Sequence, residues 1–280
     1  VITVSYPLEY LTQRIAGDIV EVRCPVPDGQ SASQWKPTRN EILEIQSADL
    51  IVANGLGARF AKWIEMASIP ANKVCNSAMR GLALKDFIEI EDVRYTHSHG
   101  NEGEHSHAVN CAYTWLHPEM AQKQAKIIAE DLKKRYPEHA EEFSKRYTEL
   151  AADLKKLQDA FDDLNSPGVT EFTAVLTANP DLKFFTRACS WDDVHMKWFD
   201  PPSADEAVRE LTAKLETVGN RPLISRNGKQ LMLSTYEFTD SLKSVMESKN
   251  ISVVVINKMD VRPTDGDYLT VMYQNVRQLD

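Results

Sequence analysis

Five of the seven histidines in the chain fall between residues 97 and 117, and four of these form two His-x-His pairs. His97-Ser98-His99 and His105-Ser106-His107 flank the segment Gly100-Asn101-Glu102-Gly103-Glu104. In extended backbone alternate residues lie on one side, so each pair can offer two imidazoles to a single cation. Glu102 and Glu104 add carboxylates, and the two glycines let the segment fold back so that the pairs meet. This donor set suits zinc, with manganese or copper second to it. The plainer reading is a solvated linker whose histidines do nothing specific. His117 at a helix entrance, His139 at the start of a long helix and His195 in the aromatic stretch Trp191 to Phe199 read as packing or surface residues.

The other reactive side chains are dispersed. Cys24, Cys75, Cys111 and Cys189 contain no CxxC spacing, which argues against a zinc knot or a thioredoxin-like motif. Four cysteines allow three full pairings, and buried free thiols are as compatible with the sequence as a disulfide. Cys111 stands two residues before Tyr113, so extended backbone would face both the same way. A nearby Cys189 would then complete a thiolate site for a soft cation such as Cu(I). No GxSxG elbow, P-loop, HExxH or Rossmann glycine pattern is present, and the chain reads as a non-enzyme. A net charge of -9 disfavours nucleic acid and favours cations. No apolar run approaches the ~18 residues needed to cross a bilayer. The sequence opens directly on a strand pattern, as expected of a cytosolic protein or of one whose signal peptide has been removed.

The elements that would carry these residues follow from patterning. Residues 1–5 and 19–23 read as strands, with a helix over 10–16 between them. Thr38 to Gln46 reads as a helix whose Thr38 and Glu41 form a capping box. Leu50 to Gly55 is a short apolar run suited to a buried parallel strand, followed by a helix over 60–66 and a strand from Lys73. Residues 118–164 are helical throughout, interrupted at Pro137. Beyond it Phe143, Tyr147, Leu150, Leu154, Leu157 and Phe161 recur every three to four residues. After Ser166-Pro167-Gly168 the βα alternation resumes, with strands at 173–177, 223–225, 231–233 and 251–256. Helices are expected at 204–215, 239–247 and 268–279. The expected fold is α/β. It has an N-terminal βα lobe over 1–117, a helical section over 118–165 with a spine helix, and a C-terminal βα lobe over 166–280.

Several segments together resemble one known family, the ZnuA/TroA-like solute-binding proteins of zinc and manganese ABC transporters. Ala48-Asp49-Leu50-Ile51-Val52-Ala53-Asn54-Gly55-Leu56-Gly57 is similar to the family's "ADLIV-x-NGLG" segment. Trp35-Lys36-Pro37-Thr38 looks like the loop before its second helix, and Thr114-Trp115-Leu116-His117-Pro118 like the entry to its helical section. Pro202-Ser203-Ala204 and Tyr268-Leu269 with Met272 and Asn275 also fit. The similarity extends over nearly the whole chain.

The resemblance implies a periplasmic or lipid-anchored monomer, two lobes with parallel sheets on a rigid spine helix, and a membrane permease as partner. It also implies a cation held by three histidines and one carboxylate. The matching positions here are Ser33, Tyr113, Asn179 and Ser234. None is a good ligand for zinc: the serine and asparagine oxygens are neutral, and a phenol must first lose a proton from a pKa near ~10. The zinc-transporting members carry a histidine-rich loop at the place of residues 97–107, which implies metal capture there. Two further readings stay open. One is a degenerate member binding a non-metal solute or a protein; the other is a zinc buffer acting only through residues 97–107.

Overall fold

The computed structural model describes residues 1–56, 63–64, 67–98, 104–165 and 173–279, with 89–98 and 104–110 as backbone only. The chain divides into two compact units. The first comprises Val1–Lys156 and Met259–Tyr268, the second Leu157–Lys258 and Leu269–Asp280.

The first unit is built on a parallel sheet ordered β1 (Ile2–Thr3), β2 (Ile51–Ala53) and β3 (Val74–Asn76). β2 is buried at every position, as its uninterrupted apolar run requires of a strand covered on both faces. The connections are α1 (Tyr6–Ala16) and α2 (Arg39–Ser47). At the start of α2 the Thr38 side chain accepts the Glu41 N–H while Glu41 accepts the Thr38 N–H, the expected capping box. The strand anticipated over 19–23 does not form. Only Arg23 bridges Ile2, because alternation of two charged residues with valine suits a half-exposed edge too short to hold a ladder. Within the helix expected over 60–66, only Trp63 and Ile64 are described, and both are helical. After the short helix α3 (Ser77–Gly81) comes an antiparallel hairpin, β4 (Glu89–Ser98) and β5 (Glu104–Asn110), then α4 (Pro118–Arg135).

The long helix α5 (Ala140–Asp162) has 23 residues, about 35 Å at ~1.5 Å per residue. Its stripe of Phe143, Leu150, Leu154, Leu157 and Phe161 is fully buried, and the division between the units falls within it. It begins three residues later than the apolar period suggested, because Pro137–His139 forms a 3-10 turn after the break.

The second unit has a mainly parallel sheet ordered β10-β9-β6-β7, with β8 antiparallel on β9. The strands are β6 (Ala174–Thr177), β7 (Asp192–His195), β8 (Ser225–Arg226), β9 (Lys229–Ser234) and β10 (Ile251–Val255). The helices are α6 (Lys183–Ala188), α7 (Ala204–Val218), α8 (Asp240–Ser248) and α9 (Tyr268–Arg277). One core cluster joins Leu176, Val194 and Met232 of the sheet to Leu211 of α7 and Leu242 and Met246 of α8. The chain therefore has the two-lobed α/β architecture with a long helix that its patterning implied. No helix of the described residues is long and apolar enough to cross a membrane.

A buried polar chain holds the carboxyl end of the first sheet. Asn54 donates to the Ala112 carbonyl at 2.5 Å and to Thr114 Oγ1 at 3.1 Å. Thr114 donates to Gln124 Oε1 at 2.8 Å, Gln124 to Ser77 Oγ at 3.1 Å, and Ser77 to the Ala53 carbonyl at 2.9 Å. Gly55 beside it has φ +81, and a Cβ there would lie 2.8 Å from the Asn76 Cβ, so glycine is required on both counts. The Asn-Gly pair thus locks β2 to the turn carrying Tyr113. Asn54→Ala strips two buried acceptors of their donor and is expected to cost about 2 kcal/mol, read as a lowered urea midpoint.

Candidate functional site

The four positions implied by the resemblance fall two in each unit. Ser33 stands two residues before Trp35 in the first unit and is half-buried. Its hydroxyl donates to Asp260 Oδ2 at 2.7 Å and its N–H to Asp260 Oδ1 at 3.0 Å. Ser31 donates to the same Oδ2 at 2.6 Å, and the Ala32 N–H donates to the Asp260 carbonyl at 2.8 Å. One carboxylate therefore collects three donors from a three-residue turn.

Asp260 is not among the positions expected from the sequence. It lies after β10, where the chain re-enters the first unit at Met259. The signal for it is topological: in a parallel sheet every strand ends on the same edge, so the loop after 251–256 opens on the same side as the loop after 231–233. Arg262 strengthens the docking of this segment, with Glu9 at 2.5 Å, Asp28 at 3.2 Å and its guanidinium 5.0 Å from the centre of the Tyr6 ring. Tyr268 closes it, donating to the Trp115 carbonyl at 2.6 Å and stacking at a tilt on Tyr10. A groove of about 620 Å³ beside the cluster is lined by Ser31, Trp35, Lys36 and Val261.

Tyr113 is fully buried, its ring edge-on to Trp115 with centroids 5.5 Å apart. In the second unit, Asn179 and Ser234 come together at the carboxyl edge of the sheet. Asn179 donates to the Trp198 carbonyl at 3.3 Å and to Thr235 Oγ1 at 2.9 Å, while its Oδ1 accepts the Asp181 N–H at 3.1 Å. Ser234 donates to the Tyr236 carbonyl at 2.7 Å and accepts the Tyr236 N–H at 3.2 Å. The Tyr236 hydroxyl in turn donates to the Trp198 carbonyl at 2.9 Å. These neutral side chains serve as turn-forming and capping groups, and their oxygens offer little to a divalent ion. His195, on the same edge, holds Asp193 Oδ2 at 2.9 Å through Nδ1, and Thr177 donates to Asp193 Oδ1 at 2.5 Å. It is a buried, hydrogen-bonded histidine, as its aromatic context indicated.

Among the described residues no group of three or more His, Cys, Asp or Glu side chains assembles as a metal site. All four cysteines are buried, and none is in a disulfide. Cys111 belongs to the first unit and Cys189 to the second. Burial pushes the Cys24 thiol up to about 11 and raises Cys75 and Cys189 as well, so thiolate chemistry is suppressed at these three.

The histidine segment differs from the extended loop expected. His97 belongs to β4, His105 and His107 to β5, and His99 lies outside the described residues. The register sets His97 opposite His105 and Tyr95 opposite His107. The β-branched residues Val93, Thr96 and Val109 in the two segments favour pairing into a ladder.

A family model described as "Zinc-uptake complex component A periplasmic" (ZnuA) matches residues 1–280. The chain belongs to the ZnuA family. This family consists of solute-binding proteins of ABC transporters, not enzymes. The manganese ABC transporter substrate-binding lipoprotein PsaA of Streptococcus pneumoniae is 26% identical over 285 residues, covering 100% of this chain and 87% of the relative. The high-affinity zinc uptake system protein ZnuA of Bacillus subtilis is 32% identical over 142 residues, 50% of this chain and 43% of that protein. Among solved structures, the metal-dependent lipoprotein YcdH of Bacillus subtilis superposes with a TM-score of 0.76 at 19% identity, covering 99% of this chain and 96% of that one. The Zn(II)-bound ZnuA-like domain of Streptococcus pneumoniae AdcA gives 0.73 at 20% identity, with the same coverage. At these identities the two structures speak for the fold alone.

Two measurements check the local chemistry. Asp260→Ala should lower thermal stability by about 1–2 kcal/mol through loss of three donors' acceptor, and Asp260→Asn by less. Ellman titration of the native ZnuA-family chain at pH 8 should find its thiols slow, with all four reacting once the protein is unfolded in guanidinium.

Proposed function

We propose that the chain is the extracytoplasmic binding component of an ABC uptake system for a transition-metal cation of the zinc–manganese kind, working with a membrane permease. Zinc is the cation favoured, and His97, His99, His105 and His107 are its capturing residues. The observation that carries this reading is the pairing of positions 97 and 105 in the hairpin, within a chain whose family handles such metals. Directly opposed residues in an antiparallel ladder have Cβ atoms about 5 Å apart, a span that two imidazoles can bridge with one cation. Periplasmic or lipid-anchored placement fits the relatives' descriptions as lipoproteins and uptake components.

A second reading is favoured by a different observation. Ser33, Asn179 and Ser234 are committed to hydrogen bonds within their own units and Tyr113 is buried against Trp115. On that reading the family's central site has been given up, and the chain holds a non-metal solute or a protein partner.

Calorimetric titration of zinc and manganese separates the two. The intact chain should bind zinc, and a variant with His97, His99, His105 and His107 all changed to alanine should not. Affinity should fall between pH 7.5 and 5.5 by about tenfold for each coordinating imidazole, since an ordinary imidazole protonates near ~6.5 and must be neutral to bind. Tight binding by the variant would overturn the hairpin assignment, and absence of binding by both proteins would establish the second reading.

A further inference from the structure

We infer that β10, the edge strand of the second unit's sheet, pairs with the same strand of a second copy of this chain. The strand reads Ile251-Ser252-Val253-Val254-Val255, with no proline, lysine or other charge. Natural sheets place those residues on edges to prevent strand addition. The opposite edge, β7, carries Asp192 and Asp193.

Among the described residues β10 is paired on one side only, with β9. Two bonds fix the direction of its backbone groups: the Gln230 N–H donates to the Asn250 carbonyl, and the Ile256 N–H to the Ser234 carbonyl. Even-numbered residues therefore address β9. Strand alternation turns the N–H and C=O groups of Ile251, Val253 and Val255 to the open side. No hydrogen bond reaches those groups from the described residues. Ser252 to Val255 are each half-buried, and a groove of about 430 Å³ runs along the strand, bordered by Phe238, Met246 and Gln278.

The charges around this groove select the occupant. Lys229 opens β9 and Glu247 lies in the last turn of α8, both near Ile251. Glu237 and Lys243 stand 3.7 Å apart near Val255. Each end of the strand thus carries one charge of each sign. An antiparallel two-fold pairing sets Val253 against the partner's Val253 and Ile251 against the partner's Val255. It also brings Lys229 toward the partner's Glu237 and Glu247 toward the partner's Lys243. The surface is complementary to itself, as an isologous contact requires. This departs from the monomer expected from the resemblance and is independent of which solute the chain carries.

Sedimentation equilibrium on the full chain, from low to high micromolar concentration, should reveal a reversible dimer. Val253→Pro removes an outward N–H while leaving every bond to β9, so it should abolish the dimer with circular dichroism unchanged. Two charge variants keep the test open if proline disturbs folding. Lys229→Glu and Glu237→Lys should each weaken self-association by about tenfold or more, because both symmetric contacts become repulsive. In an equimolar mixture of the two, the mixed dimer regains both attractive contacts, one with the parent polarity and one reversed, and should form as the parent dimer does. A monomer at all concentrations, a dimer that survives Val253→Pro with fold intact, or a mixture no tighter than its components would overturn the inference.

Discussion

A single carboxylate does much to define the first unit. Asp260 arrives from a distant part of the chain and is held by the hydroxyls of Ser31 and Ser33 and the N–H of Ser33. Charge-assisted bonds from hydroxyl and amide donors are about twice as strong as neutral ones, which makes three on one group an effective anchor. Once Asp260 is seated, Arg262 reaches Glu9 and Asp28, and Tyr268 reaches the Trp115 carbonyl. The ten residues from Met259 to Tyr268 thereby belong to the first unit although the strand before them and most of the helix after them belong to the second. Three donors thus occupy most of the roughly four lone-pair sites that an ionised carboxylate offers.

Both sheets also obey the constraint that parallel strands discharge their loops at one edge. In the first unit that edge carries Asn54 and Ser77, joined through Thr114 and Gln124 in a continuous buried chain. In the second it carries Asn179, His195 and Ser234, each with an internal partner. Buried polar groups must be paired or they destabilise the fold by several kcal/mol, and here the protein pairs them with each other. The result is polar edges whose side chains are tied to one another and to nearby backbone. The hairpin of β4 and β5 is the exception, keeping its histidines in a ladder rather than in a sheet edge.

Much of this was legible in the order of residues. The apolar run at 51–53, the capping box at Thr38 and Glu41, and the stripe from Phe143 to Phe161 each state a local preference strong enough to fix an element. Other segments carried no such signal. β7 reads Asp-Asp-Val-His and forms because β6 offers it a ladder, with Thr177 and His195 clamping Asp193. Residues 19–23 alternate like a strand yet only Arg23 pairs, since pairing depends on what lies beside a strand and not on its own pattern.

What the sequence by itself determined is the family, the alternation of βα units and the concentration of imidazoles between residues 97 and 107, because these rest on local pattern and on motif order. What only the tertiary structure decided is which distant groups meet. Ser33 and Asp260 are 227 positions apart, and no periodicity links them. The position of Asp260 follows from the chain's passage out of β10 and back to the first unit, a property of the fold as a whole. The same holds for the facing of His97 and His105, which depends on hairpin register. Local chemistry can be read from neighbours in sequence, whereas a site is a convergence in space, set by packing that no short window of residues contains.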